Sequence, residues 1–176
     1  MCLDRCMDIF SMQVLALSKR IKLTGAKMVI GVSGGLDSTL ALLVATKTAM
    51  NLKKPLSDVV GITMPCFGTS KRTHSNSLKL MELLGICNKE INIKDACIGH
   101  FKDIDHDINI HDLTYENTQA RERTQVLMDY AGKVGGLVVG TGDLSELALG
   151  WCTYNGDHMS MYSVNCGIPK TLIPYI

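Results

Sequence analysis

The sequence contains no CxxC pair and no zinc-type spacing among its seven cysteines, Cys2, Cys6, Cys66, Cys87, Cys97, Cys152 and Cys166. An odd count without paired spacing argues for reduced thiols and against a structural metal. Nowhere do about eighteen apolar residues run uninterrupted, and no charged head leads into a long apolar stretch at the N-terminus. Neither a membrane span nor a leader is expected, which points to a cytoplasmic protein without a membrane partner. Charge of one sign is lacking too, since eighteen Lys and Arg against seventeen Asp and Glu leave +1 and form no basic stripe. That balance gives a nucleic-acid partner little electrostatic support. No repeat and no linker interrupts the 176 residues, which read as one domain able to bury about two thirds of its unfolded surface. With 46% hydrophobic and 20% charged residues, the composition is that of a soluble globular chain.

Against those absences stands one dense run of small residues, Gly31-Val32-Ser33-Gly34-Gly35-Leu36-Asp37-Ser38. It sits between a strand-like segment (Met28, Val29, Ile30) and an apolar helix. Two adjacent glycines let the backbone turn sharply and approach a ligand with no Cβ in the way. The helix, from Asp37 to about Met50 with Leu40, Leu42, Leu43 and Val44 on its buried side, aims free N–H groups and the positive end of its dipole at the loop. Ser33 and Ser38 add hydroxyls. Together these features read as an anion site. A Walker A loop is excluded, because Asp37 stands where that motif needs a lysine, and GxGxxG fails on spacing. A carboxylate beside a bound polyphosphate repels it unless a divalent cation lies between, so Asp37 is a candidate magnesium ligand. The plainer alternative is a capped helix start, but capping alone does not call for two glycines and two serines around one acid.

Helical and strand-like patterns alternate, which predicts an α/β fold, a Rossmann-like open parallel sheet of about five strands with helices on both faces. The expected order begins with an amphipathic helix over Asp4 to Leu23 that buries Ile9, Phe10, Val14, Leu15 and Leu17. A strand over Ala26 to Val32, the loop and its helix, a strand over Asp58 to Met64 and a helix over Thr73 to Leu84 come next. Asn88 to Ile93 reads as a third strand. Lys94 to Asp112 lacks clear periodicity and is read as irregular. A long helix over Thr114 to Lys133, an apolar strand over Gly136 to Gly140 and a short helix over Asp143 to Leu149 follow. The end reads as a loop, a short strand near Tyr162 to Val164 and a helix beginning after Pro169.

Ligands of open α/β sheets sit beyond the carboxyl ends of the strands. The loop after Gly140 meets that condition with Thr141, a possible nucleotide donor, and Glu146, which could share a cation with Asp37 or face a second substrate. Asp143 and Ser145 could instead merely cap a short helix. On the long helix, Asn117, Arg121 and Glu122 or Gln125 fall on one side. That side suits a ribose, phosphate or carboxylate, with Arg121 or Arg123 as a clamp, or is simply solvated. Trp151 and Tyr154 could stack on a base or a pyridine ring, with core packing as the alternative for Trp151. His100, His106 and His111, among several aspartates, fit no metal template and read as a polar surface loop.

Ser33 to Ser38, SGGLDS, resembles the pyrophosphate loop of ATP pyrophosphatases, which have the adenine nucleotide alpha hydrolase-like fold. The longer blocks GVSGGLDSTLALL, TMPCFGTSKRTHSNSLKLMELLG, DLTYENTQARERTQVLMDYA and GTGDLSELALGWCTYNGDHMSMYSVNCGIPKTL together resemble the synthetase domain of glutamine-dependent NAD⁺ synthetases over nearly the whole chain. The resemblance implies ATP-dependent amidation of deamido-NAD⁺ through an adenylate, with pyrophosphate and then AMP released. It implies that Gly31 to Ser38 and Thr141 contact ATP and that Asp37 binds Mg²⁺. Glu146 matches an acid that is a magnesium ligand in ammonia-dependent relatives and a deamido-NAD⁺ contact in glutamine-dependent ones. Asn117 and Trp151, Cys152, Thr153 and Tyr154 match contacts to deamido-NAD⁺. Arg121 and Lys170 align with residues near its carboxylate and the ATP phosphates. Asp37, Glu146 and Lys170 are thereby the expected catalytic group. The implied partners are deamido-NAD⁺, ammonia from a glutaminase domain and further copies of the chain. Residues 1–176 are expected to form the ATP-pyrophosphatase domain, with the glutaminase domain absent ahead of Asp4 and the family's further helices absent past Ile176. ATP binding without turnover is the alternative for such a core. A tRNA-modifying pyrophosphatase is the other, though it calls for CxxC pairs and a basic face.

Overall fold

The computed structural model describes residues 3–176, so Cys2 lies outside the described residues. The elements are α1 (Leu3–Thr24), β1 (Lys27–Gly31), α2 (Leu36–Asn51), β2 (Val59–Thr63), α3 (Lys71–Leu83), β3 (Cys87–Glu90), α4 (Lys94–Asp103), α5 (Leu113–Val134), β4 (Gly136–Gly140), α6 (Leu144–Leu149) and β5 (Tyr162–Ser163). Short 3-10 turns at Leu56–Asp58 and Ile173–Tyr175 complete them. All five strands are parallel, in the order β3-β2-β1-β4-β5.

The alternation of side chains along a strand explains the two covered faces. Met28 and Ile30 of β1 join Val14, Leu17, Ile21, Leu42 and Val44 on the face covered by α1, α2 and α3. Val29, between them, points the other way and packs with Val60, Ile62, Phe101 and Ala131 under α4 and α5. Met28, Val29 and Ile30 are fully buried, as an apolar run in a doubly covered parallel sheet requires. The order reverses between β1 and β4, so the loops after those two strands diverge to opposite sides and leave a crevice at their carboxyl ends. No described helix is long and apolar enough to cross a membrane.

Several details depart from the sequence expectation. Lys94 to Asp112 is not irregular throughout: Lys94–Asp103 is helical, because Ile93, Cys97 and Phe101 recur every fourth residue and are buried against α5 and the sheet. The His and Asp residues that hide this stripe face outward. Leu15 and Leu43 were expected inside, but Leu15 is 65% exposed and Leu43 is at the edge of exposure, while polar Thr46 and Thr48 of α2 are buried. Thr46 satisfies its hydroxyl on Leu42 O and Thr48 on Val14 O, which removes the cost of burying them. After Pro169 the chain forms a single 3-10 turn at Ile173–Tyr175 rather than a helix start. The six described cysteines are free thiols.

Candidate functional site

The loop after β1 is built from the inside out. Val32 is buried in the core and its N–H bonds to Ile62 O at 2.9 Å, so the chain leaves the sheet only after it. Gly31 belongs to the strand: a Cβ there would meet Leu127 Cδ1 of α5 at 3.0 Å. The turn itself is Ser33 to Gly35, with Gly34 at φ +83°. Gly35 is the N-cap of α2 and has no side chain to satisfy the first N–H groups. Those donors therefore remain for an anion, which is the arrangement of a phosphate-binding helix start. The Ser38 hydroxyl is buried, donates to Gly35 O at 3.0 Å and lies 3.1 Å from Ser33 Oγ, so it braces the turn from within. Ser33 and Leu36 are exposed on its rim.

Across the crevice, the loop after β4 carries Thr141, Gly142 and Asp143 into α6. A capping box closes the start of α6: Glu146 N donates to Asp143 Oδ1 at 3.0 Å and Asp143 N donates to Glu146 Oε2 at 3.3 Å. Each carboxylate thus spends one oxygen on the cap and keeps one. The remaining oxygens turn toward Asp37, and ligand atoms from Asp37, Asp143 and Glu146 lie within 4.8 Å of one another. Capping and site formation, alternatives in the sequence, are here the same contact.

Lys170, from the segment after β5, reaches into this acidic group. Its ammonium hydrogen-bonds Asp37 Oδ2 and lies 3.3 Å from Asp143 Oδ2 and 3.7 Å from Glu146 Oε1. Partial burial works against its charge, but the hydrogen bond and the charge of Asp37, helped by Asp143 and Glu146, hold Lys170 above the ordinary lysine range. The backbone N–H of Lys170 donates to Ser145 Oγ at 3.0 Å, which ties its segment to α6. A divalent cation fits the donor set. Asp37 Oδ1 and Asp143 Oδ2 are buried without hydrogen bonds, leaving Lys170 as the nearest countercharge to Asp143 Oδ2, and hard carboxylate oxygens suit magnesium.

The remaining predicted residues form a second group on α5. Arg121 Nη1 is 3.5 Å from Tyr154 O, and Thr124 Oγ1 donates to Gly156 O at 2.8 Å, which fastens the 151–157 segment to that helix. Asn117 lies one turn before Arg121, half-buried. Trp151 is 81% exposed and Tyr154 77% exposed, so the core-packing alternative for Trp151 does not hold. Cys152 is exposed and Thr153 half-buried. An open cleft of about 290 Å³ runs between α5 and this segment, lined by Glu116, Gln119, Ala120, Arg123, Thr153 and Asp157. Two of the three histidines have partners away from this site, since His106 packs on Phe101 and lies 3.2 Å from Ile110 O and His111 stacks on Tyr115, while His100 is exposed.

Three contributors were not singled out as functional by the sequence. Asp143 was read only as a cap, although Asp-x-x-Glu before a short helix signals a capping box whose second oxygens are available. Asn165 and Gln13, buried amides behind the two loops, carry no spacing signal at all.

The NAD synthase family model matches residues 9–171. Over 97% of its length the chain is 46% identical to the glutamine-dependent NAD(+) synthetase of Mycobacterium tuberculosis and 45% identical to that of Mycobacterium leprae, covering 26% of each. It therefore spans about a quarter of the length of these curated relatives. Among solved structures, a glutamine-dependent NAD⁺ synthetase from Acinetobacter baumannii in complex with ADP superposes with TM-score 0.87 at 27% identity, covering 96% of this chain and 31% of that one. An NMN synthetase from Francisella tularensis superposes with TM-score 0.85 at 26% identity, covering 97% of this chain and 68% of that one. With the family model running through both crevice loops and Lys170, the chain belongs to the NAD synthase family.

Proposed function

We propose that residues 1–176 are the synthetase unit of a glutamine-dependent NAD⁺ synthetase, which converts deamido-NAD⁺ to NAD⁺ with cleavage of ATP to AMP and pyrophosphate. The carrying observation is the convergence of Asp37, Asp143, Glu146 and Lys170 at the reversal of strand order, beside an uncapped helix start. Family membership and the ADP-bound Acinetobacter baumannii relative support a nucleotide there.

In the first step an oxygen of the nicotinate carboxylate attacks the α phosphorus of ATP and the bond to the β,γ-pyrophosphate breaks. No general base is needed, because the carboxylate is already ionised at neutral pH. The N–H groups at the start of α2 and the turn Ser33 to Gly35 receive the leaving pyrophosphate, whose charge grows in the transition state. Asp37 and Asp143, with Glu146, hold Mg²⁺, which supplies charge neutralisation at the phosphates. The Lys170 ammonium stands at the same place and offers a positive charge to the phosphates. Ammonia then attacks the carbonyl carbon of the adenylate, AMP leaves, and a proton is lost from nitrogen. Arg121 and Asn117 with the Trp151 to Tyr154 segment hold deamido-NAD⁺ along α5, and the exposed Trp151 and Tyr154 rings offer stacking faces. Thr141 contacts the nucleotide. The ammonia is supplied by a glutaminase domain, and the setting is cytoplasmic.

Incubating the chain with ATP, deamido-NAD⁺, magnesium and an ammonium salt tests the reading. NAD⁺ accumulation with one AMP and one pyrophosphate per NAD⁺ is the expected result. ATP binding without NAD⁺ would make this the nucleotide-binding unit of a longer enzyme, and no ATP binding would overturn the proposal.

A further inference from the structure

Asp37 comes from one side of the crevice and the Asp143 and Glu146 pair from the other. Three carboxylates that face one another at this range repel, so something must hold the two loops at a fixed separation. Lys170 is one such tie, but it acts through side-chain charge and is needed by a substrate phosphate in the proposed reaction. A second tie lies beneath it. Asn165 is fully buried, and its Nδ2 donates to Asp37 O at 2.9 Å and to Thr141 O at 3.1 Å. One amide nitrogen thus bridges the backbone of the first turn of α2 and that of the loop after β4. We infer that Asn165 is a positioning residue that sets the spacing of the cation-binding carboxylates by clamping the main chain at Asp37 and Thr141.

The orientation of the amide is fixed from behind. Gln13 Nε2, on α1, donates to Asn165 Oδ1 at 3.1 Å and to Val164 O at 2.8 Å. Flipping the Asn165 amide would set its oxygen against two carbonyl oxygens and its nitrogen against the Gln13 donor. Both Asn165 N–H bonds are therefore committed to the main chain at Asp37 and Thr141. The two donated bonds are uncharged and end on backbone oxygens, so they do not depend on the Lys170 ammonium. Charge from Lys170 and geometry from Asn165 are separate contributions of one short segment.

This inference rests on the proposal that Asp37, Asp143 and Glu146 hold a divalent cation, and the test separates the two. Mn²⁺ binding, followed by loss of the free-ion paramagnetic signal, is measured without nucleotide for the native chain, Asn165→Ala and Asn165→Ala combined with Lys170→Met, each at a temperature where circular dichroism shows it folded. The Asn165→Ala change is expected to weaken Mn²⁺ binding roughly tenfold or more, as loss of an orienting contact around a metal site does, and to do so in the Lys170→Met background as well. Mn²⁺ affinity within twofold of native in folded Asn165→Ala, with only the melting temperature lowered, would overturn the positioning role. Should Asn165→Ala fail to fold, Gln13→Met, which removes only the support behind the amide, is read the same way: a weaker Mn²⁺ affinity upholds the clamp and native affinity overturns it. Absence of Mn²⁺ binding by the native chain would instead sink the cation-site proposal itself.

Discussion

A Cβ placed on Gly34 would lie 2.3 Å from the main-chain oxygen of Thr73, in the first turn of α3. The turn Ser33 to Gly35 is thus backed by the backbone of a neighbouring helix start, itself capped by Ser70, which accepts from Thr73 N at 3.2 Å. Gly34→Ala meets two obstacles, the overlap with Thr73 O and a left-handed φ that costs an L-residue about 1–2 kcal/mol. The variant should melt lower and bind ATP more weakly than native. Native-like ATP affinity by calorimetry would mean that the turn does not carry the nucleotide.

Asp37→Asn keeps the shape of the side chain and leaves its carbonyl free to accept from Asn165. The fold should therefore survive, while the bond to Lys170 weakens and one cation ligand is lost. Magnesium-dependent release of pyrophosphate, in the presence of deamido-NAD⁺, should fall roughly a hundredfold or more. Activity close to native at saturating magnesium would remove Asp37 from its role.

The strand, turn and helix around Ser33 to Ser38 were legible because local chemistry decides them: two glycines, an apolar strand before and an apolar helix after. Helix α4 was equally local, through Ile93, Cys97 and Phe101, but His100, Asp103 and their neighbours masked a three-residue stripe. Asp143 was half legible. Its spacing to Glu146 announces a cap, yet whether the spare oxygens meet a cation depends on Asp37, which arrives from a different strand. Asn165 could not be read at all, since its partners lie as far as 152 residues away in sequence, and only the packing of α1 on the sheet and the parallel order of β1, β4 and β5 bring them together. Leu15 shows the converse limit, because an amphipathic pattern marks a face and does not say where that face ends.

Trp151 offers a clean separation of stability from function. It is 81% exposed, and surface substitutions away from packing or caps usually stay within about 0.5 kcal/mol. Trp151→Ala should leave the urea midpoint unchanged and raise the KM for deamido-NAD⁺ while sparing that for ATP. A loss of stability with unchanged KM would assign the ring to packing instead.

Burial, reinforced by the Cys66 thiol 3.9 Å away, pushes the Cys97 thiol from 9.0 up to about 12. The thiolate is the reactive form, so iodoacetamide at mildly alkaline pH should label exposed Cys152 and Cys166 and spare Cys97 in the folded chain. The same shift has a stability consequence. Between the two values the unfolded chain has lost a proton that the folded one keeps, so this contribution is full below pH 9.0 and is lost as pH rises toward about 12. Urea melts should lose stability over that window more steeply in native protein than in Cys97→Val. Parallel slopes would show that the thiol contributes nothing to the alkaline limb.

Lys170 is held charged by Asp37, Asp143 and Glu146, and since its pKa is raised, this link is intact below the ordinary lysine range and weakens only at higher pH. Neutral pH is therefore no lever on it, whereas substitution is. Lys170→Met leaves three carboxylates facing one another with no internal cation, which should lower the melting temperature in the presence of a chelator. Magnesium then replaces the missing charge, so its addition should raise the melting temperature of the variant by more than that of native protein, where cation and ammonium compete for the same oxygens. Adenylate formation should nevertheless stay low in the variant, because the ammonium charge proposed to meet the phosphates is gone. An equal response of both proteins to magnesium would mean that Lys170 and the cation do not share a site, and that the ammonium among these three acids is a structural ion pair with no part in binding the metal.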